Sequence, residues 1–213
     1  MGIQDKGAFG GFRNKTGPLV VHIVNGQNVI TSVPRKSSKP PTEKQLDQRR
    51  KFGLVTSHLS WMSTLIDQGF QEHEKRQSSM NVAVRYNLLH AVTGVSPFFT
   101  IDYPKMMYSQ GKCPLPADIA VEGLEGAQVD FSWGISFLNK FGKATDLVNL
   151  VVYNAQEDKF VILENAASRS ELGFSLQLPA EFIGHTIHCY LNFVSVTGDV
   201  ASNSEYAGQL TVI

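Results

Sequence analysis

Thr186-Ile187-His188-Cys189-Tyr190-Leu191-Asn192-Phe193-Val194-Ser195-Val196 is dominated by β-branched and aromatic side chains, the types that fit a pleated, half-buried surface. It reads as a strand. Similar β-rich runs, separated by turn residues, recur at residues 119–124, 128–133, 147–153, 160–164, 173–178 and 209–213. Seven short strands following the Cys113-Pro114-Leu115-Pro116 linker have the number and spacing of a two-sheet sandwich. Trp133, Tyr153 and Tyr190 fall within these strands and are expected as core aromatics.

Upstream the pattern changes three times. Residues 1–17 place Gly2, Gly7, Gly10, Gly11 and Gly17 around Phe9 and Phe12, a composition that resists helix and reads as an extended arm. Residues 19–24 and 27–33 are β-rich and meet at Asn25-Gly26, a pair suited to the positive φ of a type I′ turn, so a hairpin is expected. Pro34 closes it, and Arg35-Lys36-Ser37-Ser38-Lys39-Pro40-Pro41 forms a basic, extended linker. Thr42 with Gln45 has the form of a capping box and opens a helix that carries Leu46, Val55, Leu59, Met62, Leu65 and Ile66 to a stop near Gly69. A second helix is expected over residues 79–93 with Gly94 as terminator, the two packing as a helical hairpin. Residues 100–108 alternate like a further strand.

The fold class is therefore α+β: an N-terminal arm, β-hairpin and helical hairpin over residues 1–114, followed by an immunoglobulin/fibronectin III-like β-sandwich over residues 115–213. A chain of 213 residues that is 42% hydrophobic and 18% charged can bury a core, which excludes wholesale disorder and coiled coil. No stretch has the roughly 20 apolar residues of a spanning helix. The opening Met-Gly-Ile-Gln-Asp-Lys lacks the pattern of a secretory signal, and Lys6 stands where a myristoylation motif needs Ser or Thr, so a cytoplasmic protein without a lipid anchor is expected. Cys113 and Cys189 are expected as reduced, unpaired thiols.

Charge is distributed unevenly although it sums to zero. Residues 1–51 carry ten Lys or Arg against three acids, whereas residues 115–213 carry four against twelve. The front is +7 and the sandwich −8. Such a layout suits a basic arm that binds nucleic acid, lies on its own acidic half, or reaches the acidic half of another copy.

Motifs for chemistry are absent or fail on spacing. Gly10-Gly11-Phe12-Arg13-Asn14-Lys15-Thr16 suggests a phosphate loop, but Asn14 and Phe9 occupy the places where glycines are required. His185-Thr186-Ile187-His188 would share a face in a helix; in a strand a separation of three puts the imidazoles on opposite faces. His22, His58, His73 and His90 are scattered, and neither a nucleophile elbow nor a zinc-protease helix occurs. Glu122 with Glu125, and Asp130 with Asp146, read as surface carboxylates of a sandwich. No catalytic residue, cofactor site or metal site is expected. Arg49-Arg50-Lys51, with Lys44 before it, gives the first helix a basic face without the interleaved aromatics of a single-strand platform.

Gly7-Ala8-Phe9-Gly10-Gly11-Phe12, Asn25-Gly26, residues 42–52, Asn87-Leu88-Leu89-His90-Ala91 with Gly94, Ile101-Asp102-Tyr103, residues 146–154 and Ser202-Asn203-Ser204 are ordered along nearly the whole chain. This series resembles an uncharacterised family of proteins of about 200 residues from Bacteroidota. Its members often carry Trp or Lys before the hairpin glycine, where this chain has Val24-Asn25. The resemblance implies no activity.

The expectation is a non-catalytic structural or adaptor protein that self-associates or joins a larger phage-like or cell-surface assembly. Phe9 and Phe12 would anchor the arm on a neighbour's sandwich edge by β-augmentation, with Arg13, Lys15, Arg35, Lys36, Lys39, Arg49 and Arg50 as charge contacts. Two alternatives stand beside it. One is a sandwich that binds a glycan or protein through residues 134–145 with Trp133 and Phe137; the other, weaker, is a nucleic-acid binder using the basic first quarter.

Overall fold

The computed structural model describes residues 2–3, 14–24, 26–34, 38–71, 77–135 and 139–213. They form two compact units, Met1–Glu43 and Lys44–Ile213. The first is a four-stranded antiparallel sheet of β1 (Gly2–Ile3), β2 (Asn14–Thr16), β3 (Leu19–Val24) and β4 (Gln27–Ser32), in the order β1-β4-β3-β2. The expected hairpin is its centre: Val24 pairs with Gln27, and Gly26 takes φ +78° between them. The arm departs from the expectation at its ends, because Asn14–Thr16 pairs with β3 and Gly2–Ile3 with β4.

The second unit opens with three helices: α1 (Glu43–Ser60), α2 (Ser63–Gly69) and α3 (Ser79–His90). The single long helix expected from Thr42 to Gly69 is two, since Met62 leaves helical geometry at φ −107°, ψ 23° and interrupts the ladder. Ser78 caps α3, its hydroxyl accepting from Asn81 N at 3.3 Å. Gly94 does not end that helix, as had been expected. Ala91 does, and β5 (Val92–Val95) folds back on β6 (Phe98–Ile101), with Gly94 at φ +94° where a Cβ would strike the Phe98 carbonyl. The strand expected over 100–108 stops at Ile101, and Tyr103–Lys105 forms a 3₁₀ turn.

All seven C-terminal strands are present: β7 (Ala120–Leu124), β8 (Gln128–Ser132), β9 (Leu147–Asn154), β10 (Lys159–Ser168), β11 (Gly173–Gln177), β12 (Thr186–Val194) and β13 (Glu205–Thr211). They make two antiparallel sheets, β11-β8-β7 and β10-β9-β12-β13. This three-on-four arrangement is an immunoglobulin/fibronectin III-like sandwich. Its core joins Val129 and Phe131 of the first sheet to Leu150, Val152, Cys189, Leu191 and Phe193 of the second.

The helices do not form a module apart from the sandwich. Val55, Leu59, Leu65 and Ile66 share one buried cluster with Val151 and Tyr190, which alternate out of β9 and β12 on the sheet's other face. Both strands are therefore covered on both sides, and β12 is buried at every position after Thr186. For this reason the break between compact units falls after Glu43 rather than after Pro114. The helical layer needs the sandwich to bury its apolar stripe.

Candidate functional site

Among the residues expected to contact a partner, Phe9, Phe12, Arg13, Arg35 and Lys36 lie outside the described residues. Lys15 falls in β2, Lys39 precedes α1, and both are exposed. Arg49 and Arg50 are exposed on α1, so these four are not gathered into one constellation by a shared element. The first half of α1 has its own character. No residue of the helix before Val55 is buried, and Phe52 is 52% exposed. The β5–β6 hairpin is tied to this stretch at two points. Ser96 Oγ donates to Asp47 Oδ1 at 2.7 Å, and Lys51 Nζ lies 4.6 Å from the centroid of the Phe99 ring. Arg50 NH1 reaches the same Asp47 oxygen at 3.1 Å. The hairpin turn presents Val95 and Phe98 to solvent, 77% and 78% exposed. Helix and hairpin together make a basic platform studded with large apolar side chains.

Further along α1 the helix, β6 and the β9–β10 turn enclose a cleft of about 330 Å³. His58, Phe99, Tyr103, Tyr153 and Asp158 are among its walls. Asp158 takes φ +51°, a conformation Asp tolerates better than most residues, and its Oδ1 accepts from Tyr153 Oη at 2.9 Å. Burial, more than this bond, pushes the Tyr153 hydroxyl pKa up. The His58 ring stands edge-on to Tyr153 at 4.7 Å and to Phe160 at 4.9 Å. Burial lowers its pKa to about 4, against the opposing pull of Asp158, so the imidazole is neutral at pH 7. Its Nε2 is buried with no hydrogen-bond partner among the described residues. Tyr103 stacks on His188 at 4.1 Å, and His188 Nδ1 lies 3.0 Å from Tyr206 Oη. The expectation overlooked this cleft because its walls come from elements far apart in sequence; His58 alone carried no local pattern.

The sandwich side of the expected glycan-binding site is different. Trp133 is buried, donates its Nε1–H to the Arg169 carbonyl at 2.9 Å and packs edge-on against Phe193, so it belongs to the core and offers no face to a ligand. Phe137 lies outside the described residues. Asp146, expected on the surface, is 1% exposed and pairs with Arg169, because that guanidinium is itself enclosed and requires a counter-charge. Arg169 NH2 also donates to Cys113 Sγ at 3.1 Å. Burial pushes the Cys113 thiol up to about 12, and both cysteines are free and buried. His185 precedes β12 rather than lying in a strand, with Nδ1 2.9 Å from Asn154 Nδ2, while His188 sits inside β12.

The two antiparallel sheets, of three and four strands, define the C-terminal part as an immunoglobulin/fibronectin III-like sandwich. Residues 11–208 match a family of unknown function, DUF6266, and the chain belongs to that family. Among solved structures, it is similar to the FN1–FN3 domains of chicken CNTN1 at 13% identity and a TM-score of 0.37, over 49% of this chain and 33% of that one. The chain thus spans about a third of the length of that structure. No curated protein matches it. No helix among the described residues is long and apolar enough to cross a membrane.

Proposed function

We propose that the protein is a non-catalytic assembly or adaptor module that docks on a second copy of itself through the basic platform of α1 and the β5–β6 hairpin. The observation that carries this reading is the platform's exposure. No residue in the first three turns of α1 is fully buried, and the adjoining hairpin, whose Ser96 shares Asp47 with Arg50, leaves Val95 and Phe98 exposed. Its counterpart is the sandwich, where Asp118, Glu122, Glu125, Glu164, Glu171 and Glu205 are all exposed. Glu122 lies within β7, an edge strand of its sheet, and Glu125 just past its end, so that edge offers a second copy an acidic rim. In this reading the N-terminal arm, with Phe9 and Phe12 as anchors, adds a further contact with the same acidic half.

Light scattering of the full chain at about 50 mM and about 500 mM salt tests the proposal, because screening lengths differ severalfold between the two. A mass above the monomer at low salt that falls at high salt supports charge-complementary assembly. A monomer at both overturns it.

A further inference from the structure

We propose that the cleft between α1, β6 and the β9–β10 turn is a binding site for a neutral saccharide ring. The inference is independent of self-association and rests on how the cleft is furnished. Its volume of about 330 Å³ lies at the lower end of what small-ligand sites occupy, enough for one or two sugar rings. Its walls alternate two kinds of group. Phe99, Tyr103 and Tyr153 supply aromatic surface, the last two with ring centroids 5.3 Å apart. Ser57, Thr100 and Asp158 supply hydroxyls and a carboxylate. Sugars need this combination, since a pyranose presents apolar C–H faces to aromatic rings and hydroxyls around its rim to acceptors and donors.

The second observation is the imidazole. His58 lines the cleft, is 6% exposed, and its Nε2 has no partner among the described residues. A buried polar nitrogen left unsatisfied is costly, and the ring that carries it forms part of the cleft wall. Charge argues for a neutral ligand over an organic cation. The Asp158 Oδ1 is already taken by Tyr153, and the Phe99 wall is already occupied by the Lys51 ammonium, which repels a second cation. An anion would meet Asp158.

Saturation-transfer NMR on the full-length protein tests the site, using methyl glucoside, methyl mannoside, N-acetylglucosamine and cellobiose as probes and tetramethylammonium as the cationic control. The expected result is transfer to sugar ring protons in the wild type, lost at least tenfold in Asp158→Ala and in Ser57→Trp. The second variant fills the cleft with a bulky ring from an exposed helix position, replacing one wall hydroxyl and leaving Asp158 and Tyr153 untouched, so it reports on the site even where Asp158→Ala disturbs Tyr153. Absence of transfer to every saccharide overturns the proposal. So does transfer that survives Ser57→Trp, which would place binding elsewhere, or transfer to tetramethylammonium alone, which would reassign the cleft to cations.

Discussion

The Arg169 guanidinium stands 3.6 Å from the Asp146 carboxylate, and the two side chains are only 3% and 1% exposed. Around them the Arg169 N–H donates to the Asp146 carbonyl at 2.7 Å, the Lys143 N–H to Asp146 Oδ2 at 2.8 Å, and the guanidinium lies 4.1 Å from the Phe193 ring centroid. The pair thus joins the loop before β9 to the end of β10 and to the core. Removing one partner leaves the other as an uncompensated buried charge, which typically costs about 3–5 kcal/mol. Asp146→Ala and Arg169→Met should each lower the unfolding free energy measured in urea by that order. The double variant should recover part of the loss, because two apolar groups leave no orphaned charge. Equal, additive losses would show that the two residues act separately.

Acid sensitivity follows from His58. Its folded-state pKa of about 4 lies below the ordinary value of 6.5, so the unfolded chain binds a proton first as pH falls. The neutral imidazole's contribution is intact above pH 6.5, declines through the interval from 6.5 to about 4, and is fully lost below it. Over that interval the loss amounts to about 3 kcal/mol at 1.36 kcal/mol per pH unit. His188, also lowered by burial, adds to the decline with the same sign. His58→Phe should flatten the stability profile between pH 6.5 and 4 relative to wild type, as measured by urea unfolding at matched ionic strength. Parallel profiles would mean that His58 is solvated in the folded protein.

Gly69 closes α2 where the chain returns on it. A Cβ built at this position would lie 2.5 Å from Ser109 Oγ and 2.6 Å from Ser109 Cα, and Gln110 N donates to the Gly69 carbonyl at 3.1 Å. Because one of the blocking atoms is backbone, rotating a side chain cannot relieve the overlap. Gly69→Ala should therefore destabilise by about 1–3 kcal/mol despite alanine's better helix propensity. By contrast, the same change at Gly53, where nothing lies within 4 Å, should stabilise α1 by up to about 1 kcal/mol. Thermal melts of the two variants should move in opposite directions.

Local chemistry explains what could be read directly. The two β-rich runs either side of Gly26, and the seven C-terminal runs with the turn residues between them, carry their information within a few positions, and each run corresponds to an observed strand. What was missed depends on contacts distant in sequence. Val148 to Tyr153 and His188 to Phe193 are apolar or neutral with little alternation, the mark of strands covered on both faces, so a helical layer over the sandwich was in principle legible. Gly94 had two possible readings, helix terminator or hairpin residue. Only the pairing of β5 with β6 decides between them. The cleft was beyond local reading altogether, since His58, Phe99 and Asp158 meet only once α1, β6 and the β9–β10 turn are in place.

The hairpin turn separates the assembly reading from a purely structural one. Val95 and Phe98 contribute little to the core at 77% and 78% exposure, and surface positions of this kind change stability by about 0.5 kcal/mol or less when substituted. If a second copy covers them, Phe98→Asp places a charge in an apolar contact, and next to the acidic partner surface it adds like-charge repulsion. The variant should keep the wild-type melting temperature of the monomer while weakening association at least tenfold by sedimentation velocity at low salt. Arg49→Glu should weaken association too, but its effect should shrink as salt rises, whereas the apolar part of the Phe98→Asp loss should persist. Association unchanged in both variants would move the contact away from α1 and β5–β6 and leave the N-terminal arm as the remaining basic element.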